Sequence, residues 1–105
     1  MGGDDKAELR RSRRLKVFQP AALAGPAGTI RIHLLDVSAT GALAYAATAP
    51  PAVGDALQLE CAGIVAAATV RWCKGNRFGL HFDAPLDAEA LRRIASPSHA
   101  AKGRA

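Results

Sequence analysis

Alternation of apolar and polar side chains runs through most of the chain between Leu15 and Phe82. From Thr29 to Leu35, Ile30, Ile32 and Leu34 fall on one face, while Thr29, Arg31 and His33 fall on the other. A period of two predicts a half-buried strand. Leu57, Leu59 and Cys61 alternate with Gln58 and Glu60, and Ala62-Gly63 then reads as a turn. In the next segment Ile64, Ala66, Ala68, Val70 and Trp72 share a face. On that spacing Trp72 is predicted to pack in the core or at a barrel end rather than to offer its ring to a ligand. After the turn Lys74-Gly75-Asn76, Phe78, Leu80 and Phe82 oppose Arg77, Gly79 and His81. A first strand is predicted over Leu15 to Leu23, bent at Pro20, and a further one begins at Leu43 and Tyr45. Residues 25–28, 36–41 and 49–55 carry the glycines, prolines and small polar residues of turns.

The period changes once. Asp87 suits the N-cap of segment 88–96, where Leu91 and Ile94 have helical spacing, and Ser96-Pro97 ends it. Five or six short antiparallel strands followed by one short helix predict an all-β domain, either a small barrel or a sandwich. Strand–helix alternation is missing from the pattern, so dinucleotide folds built on a parallel sheet are not expected. Residues 1–8 are predicted to form a flexible arm, 9–96 the folded domain and 97–105 a flexible tail.

Composition narrows the picture. The 105 residues suffice for one domain. Half of them are hydrophobic, but 24 are alanine, which leaves 28 larger apolar side chains for a modest core. No uninterrupted apolar run approaches the ~18 residues of a spanning helix, so membrane insertion is not expected. The N-terminal sequence MGGDDKAELRR lacks the apolar centre of a signal peptide, which argues against export. Cys61 and Cys73 are too few for a disulfide framework or a thiolate metal site. A cytoplasmic location with both thiols free is the expectation.

Charge points to an anionic partner: the formal net charge is +5. Residues 10–16 read RRSRRLK, five cations in seven positions with no acid among them. Such a run is either a solvated arm or a grip for phosphate or guanine, and four arginines favour the grip because a guanidinium donates bidentately.

A search for catalysis finds little. His33, His81 and His99 are scattered, without metal-ligand spacing, Ser38 has no nucleophile-elbow sequence, and no phosphate loop is present. An enzyme is not expected, nor a metal or cofactor. Aromatic residues make up only 5% of the chain, a poor supply for a platform that stacks single-stranded DNA or RNA.

Two features remain: Arg10 and Arg14, four apart, and Asp36, Ser38 and Gly41 in a D-x-S-x-x-G arrangement. Taken singly, the second reads as a turn that satisfies its own backbone, with Gly41 supplying a positive φ. In combination, R-x-x-x-R, a strand, D-x-S-x-x-G, a strand pair and the VRWCKGNRFGLHF hairpin resemble the PilZ domain family over roughly residues 9–95. The resemblance implies a six-stranded antiparallel β-barrel with a C-terminal helix, and a bacterial receptor for the second messenger cyclic di-GMP.

It also implies roles for individual residues. Arg10 and Arg14 would hold guanine edges, stack on a base or clamp phosphate, with Arg11 and, secondarily, Arg13 on the phosphates. Asp36 would accept from guanine N1–H and N2–H, Ser38 would add a small hydrogen-bonding group, and Gly41 would allow the turn and a close backbone approach. Leu9 stands where the family's paired-ligand members have arginine, which favours a single bound dinucleotide. The implied output is a change in the N-terminal arm that regulates an unidentified effector protein in motility, adhesion or polysaccharide production. Two alternatives stay open: a PilZ-like adaptor that binds no ligand, and a small basic barrel that binds nucleic acid.

Overall fold

The computed structural model describes residues 14–96. Arg10, Arg11, Arg13, the expected arm and the expected tail lie outside the described residues. Six strands appear in order: β1 (Leu15–Gly25), β2 (Gly28–Val37), β3 (Gly41–Tyr45), β4 (Ala56–Cys61), β5 (Ile64–Lys74) and β6 (Arg77–Phe82). One helix, α1 (Ala88–Ala95), follows them.

The strands form a closed antiparallel barrel in the order β1-β2-β3-β6-β5-β4. Closure runs through Ala22↔Glu60, Leu23↔Leu59 and Ala24↔Gln58, which pair β1 with β4. This resolves the choice between barrel and sandwich, and it leaves no sheet edge free to recruit another strand. Tight turns fit the connections. Ala62 and Gly63 both have positive φ between β4 and β5, and Gly75 does the same between β5 and β6.

The core holds Leu23, Leu34, Val37, Leu59, Val70, Phe78, Phe82 and Ile94. Alanines contribute more than their size suggests, because large and small side chains meet across the strands. Ala44 pairs with Phe78 and Ala68 with Phe82, and all four are buried. A second large residue at either alanine would overfill the barrel.

Helix α1 starts at Asp87, whose carboxylate accepts from the backbone N–H of Ala90 at 2.8 Å. Its far end is held by a buried amide: Gln19 Nε2 donates to the carbonyls of Ile94 and Ser96, each at 2.7 Å. These carbonyls are at the C-terminal end of the helix, where no further turn supplies donors. Gln19 therefore ties the helix to β1 while Ile94 packs into the core.

Of three register irregularities, one of them on β1 between Lys16 and Gln19, two set the outer surface near the cleft. On β2, Leu34 pairs with Ala44 and Asp36 with Leu43, so Leu35 is an extra residue in the ladder. On β5, Val70 pairs with Leu80 and Trp72 with Gly79, so Arg71 is extra. Each bulge reverses the parity of the residues that follow it. Asp36 and Trp72, which strict alternation would aim inward, both face out.

Candidate functional site

The bulges bring Asp36, Leu43, Gly79 and Trp72 into one row across the outside of β2, β3, β6 and β5. A neighbouring row carries Gly41, His81 and Thr69. Between and beside them lies a cleft of about 220 Å³, lined among others by Arg14, Ser38, Gly41, Arg71, Trp72 and His81.

Arg14, one of the lining residues, pairs with Asp36, which lies 22 residues away in sequence and beside the cleft rather than in its lining. The Arg14 Nη1 donates to Asp36 Oδ1 at 3.1 Å, with the arginine side chain 64% exposed and the aspartate 15%. The contact follows from register, because Lys16 pairs with Asp36 where β1 begins. An ion pair this exposed contributes only ~0–1 kcal/mol, so either partner can be drawn to another ligand at small cost.

Ser38 has a different part. It is buried, and its hydroxyl oxygen accepts from the backbone N–H groups of Thr40 and Gly41 at 3.3 and 3.2 Å. The backbone N–H of Ser38 in turn donates to the Gly41 carbonyl at 2.8 Å. Ser38 thus holds the 38–41 turn in shape. The turn is anchored below by Phe82 and Leu86, whose N–H groups donate to the carbonyls of Thr40 and Ala39 at 2.8 Å.

Gly41 is required for space rather than for torsion. Its φ is not among the positive ones, contrary to the expectation from sequence. A Cβ there would overlap the carbonyl oxygen of Leu80, so a side chain at 41 would push β3 off β6. The close approach that demands the glycine is that of strand β6.

Trp72 corrects the sequence reading most directly. It is 44% exposed and outside the core. Its indole covers Gly79 so closely that a Cβ on that glycine would lie 2.7 Å from Cδ1 and Cε2. The signal that could have found it is Gly79 itself, since a glycine within a strand marks the close approach of another group. His81 was expected to point outward and does, but its place in the cleft depends on pairing with Gly41.

Among the described residues, no group of three or more His, Cys, Asp or Glu side chains comes together to hold a metal ion, and no helix is long and apolar enough to cross a membrane. Cys61 is buried and Cys73 exposed, both as free thiols. Burial raises the Cys61 thiol to about 11.

The arrangement combines the guanidinium groups of Arg14 and Arg71, the Asp36 carboxylate paired with Arg14, and a partly exposed indole, groups that can meet an anion or a base. A family model described as the PilZ domain matches residues 8–96. No curated protein gives a significant match. A match over most of the chain, on a closed six-stranded barrel that carries D-x-S-x-x-G beside an N-proximal arginine, means that the chain belongs to the PilZ domain family, a family of cyclic di-GMP receptors.

Proposed function

We propose that this protein binds cyclic di-GMP in the cleft beside the 36–41 turn and passes the binding event to an effector protein. PilZ domains are receptors or adaptors rather than enzymes, and a ligand-gated adaptor suits this cleft. The observation that carries the reading is the meeting of Arg14 with Asp36 at the mouth of the cleft.

The ligand is a dianion with two guanines. Each guanine presents O6 and N7 on one edge, a pair that one guanidinium can engage together. N1–H and N2–H on the other edge suit a carboxylate. Arg14 and Asp36 supply both groups within one ion pair, which the base can divide between its two edges. Trp72 offers a ring face for stacking, and Arg71 lies within reach of phosphate at the same cleft. Ser38 acts by holding the turn, and Gly41 by letting it sit against β6.

Size indicates that the cleft alone is not the whole site. Pockets for ligands of this class run to ~300–1,000 Å³, and this one holds about 220 Å³. Arg10, Arg11 and Arg13 precede Arg14 in sequence, and in this reading binding draws Arg10 and Arg11 over the ligand, with Arg13 on phosphate. Energies agree. A charge-assisted hydrogen bond contributes ~1.5–3 kcal/mol, ordering a segment costs ~2–5 kcal/mol, and micromolar affinity needs ~8 kcal/mol. Both the N-terminal arginines and the barrel turn must contribute to reach it. Leu9 favours one dinucleotide per chain.

Calorimetric titration tests the assignment. The protein is expected to bind cyclic di-GMP in preference to GTP and cyclic di-AMP. Arg10→Ala and Arg14→Ala each weaken binding at least thirtyfold while the melting temperature barely moves. Asp36→Ala weakens it and relaxes selectivity for guanine. Amide shifts on ligand addition are expected at residues 8–14 and 36–41. An Arg14→Ala variant that bound as well as the parent would overturn the proposed roles.

A further inference from the structure

A second groove, of about 460 Å³, opens on the outer wall next to the cleft, and its most prominent lining side chains are Phe18, Arg31, His33, Leu35, Tyr45 and Arg77. Phe18 is 70% exposed and Tyr45 37%, high values for large apolar side chains. The phenyl ring of Phe18 stacks on the imidazole of His33, with centroids 4.6 Å apart and planes 15° from parallel. His33 pairs with Tyr45, Tyr45 with Arg77 and Arg77 with Lys74, so two rings are followed by two cations, with no acid in the row across four strands. Among the described residues the one ion pair is Arg14–Asp36, so the charges of Arg31 and Arg77 are uncompensated.

From this arrangement we infer that the groove is the docking surface for an acidic segment of the effector protein, an inference that rests on the receptor reading given above. Aromatic side chains ringed by arginines have the composition of the energetic centre of protein interfaces. An aliphatic side chain of the partner seats among Phe18, Leu35 and Tyr45, and flanking carboxylates meet Arg31 and Arg77. A nucleic-acid strand fits less well. It needs a succession of free ring faces along a cationic track, and here Phe18 and His33 each spend one face on the other.

Placement links the groove to the ligand. Phe18 follows Arg14 by four residues on the same chain segment, and Leu35 immediately precedes Asp36. A dinucleotide that separates Arg14 from Asp36 therefore acts on both segments that wall the groove.

Two-dimensional amide NMR of the full chain tests this, with the peptides (Glu-Glu-Leu)₄ and (Lys-Lys-Leu)₄ and the oligonucleotide dT₁₂ as probes, each with and without cyclic di-GMP. The glutamate peptide is expected to give saturable shifts at Phe18, His33, Tyr45 and Arg77. Phe18→Ser and Arg77→Glu weaken that binding at least tenfold and leave cyclic di-GMP affinity within twofold of the parent. The inference is overturned if these residues do not respond, if the lysine peptide moves them equally, if dT₁₂ binds there more tightly, or if they shift with protein concentration alone. Failure of the parent to bind cyclic di-GMP is a separate result: it removes the receptor reading, whereas the peptide titration judges the groove.

Discussion

Trp72 is the chain's single tryptophan, and it lies over Gly79 in the candidate cleft. Its fluorescence therefore reports on that site alone. Cyclic di-GMP is expected to change the intensity and shift the emission maximum, with a midpoint equal to the calorimetric one. Gly79→Ala places a methyl group where the indole now rests and turns the ring away. Because the overlap is on the outer surface, the melting temperature should fall by only a few degrees, while affinity for the dinucleotide drops at least fivefold. Equal losses of stability and affinity would mean that Trp72 acts as a strut and not as part of the cleft. The cysteines provide a second contrast between single residues. Cys61 is buried and its thiol is raised to about 11 by desolvation, whereas Cys73 is exposed. Only the thiolate reacts, so at pH 8 a disulfide reagent should modify one thiol per folded chain and two in denaturant. The same shift sets a pH dependence. The folded value lies above the unfolded one of 9.0, so its contribution to stability is intact below pH 9 and is lost as pH rises toward 11. Cys61→Ala should remove that alkaline loss from the stability profile.

Between elements, the attachment of α1 depends on Gln19. Its amide gives both of its hydrogens to helix-end carbonyls from an almost fully buried position. Gln19→Ala leaves those carbonyls without their donor and opens a hole beneath the helix, a cost of ~2–4 kcal/mol. At ~4–8 °C per kcal/mol for a domain of this size, thermal melting should fall by about 10 °C or more, with hydrogen exchange rising first in 88–95. The turn between β4 and β5 works in the opposite direction. Ala62 holds φ +54°, a left-handed conformation that costs an alanine ~1–2 kcal/mol. Asn tolerates it, so Ala62→Asn should raise the melting temperature by a few degrees. How far such elements could be read from sequence depends on whether their cause is local. The alternation of β4 and β6, the Asp87 cap and the turn at Ala62-Gly63 are written in adjacent residues. The outward aim of Asp36 and Trp72 is not. Each follows from a bulge whose position is fixed by a partner strand, β3 for one and β6 for the other, and simple counting carries the wrong parity past it. Gly41 was misjudged for a related reason: the obstacle that demands a glycine is the Leu80 carbonyl, 39 residues away in sequence.

For the molecule as a whole, the barrel brings together what the sequence separates. Closure through β1 and β4 could not be told from a sandwich by strand count, because it depends on pairing Leu23 with Leu59. The motif residues were legible and the family resemblance implied that they converge, whereas the direct Arg14–Asp36 contact was not legible, and neither was the groove walled by Phe18 and Tyr45. Net charge, by contrast, is visible from composition alone, and it supplies a test between a receptor for a dinucleotide and a binder of nucleic acid. A chain of charge +5 attracts either partner at low salt. The two differ in how many phosphates are neutralised. A nucleic-acid binder that makes 6–10 phosphate contacts loses ~10³–10⁵ in affinity between 50 and 200 mM salt, because each contact releases a counterion. Cyclic di-GMP has two phosphates, so the slope of log K against log salt cannot exceed about 2 in magnitude. Over the same fourfold change the loss should then stay near tenfold. Arg71→Ala should lower that slope by roughly one phosphate's worth, whereas Arg14→Ala and Asp36→Ala should weaken binding and leave the slope nearly unchanged, because they face a base and not a phosphate. A steep slope for the parent, or one that Arg71→Ala does not alter, would mean that the charge of the barrel and not the cleft beside Asp36 governs binding.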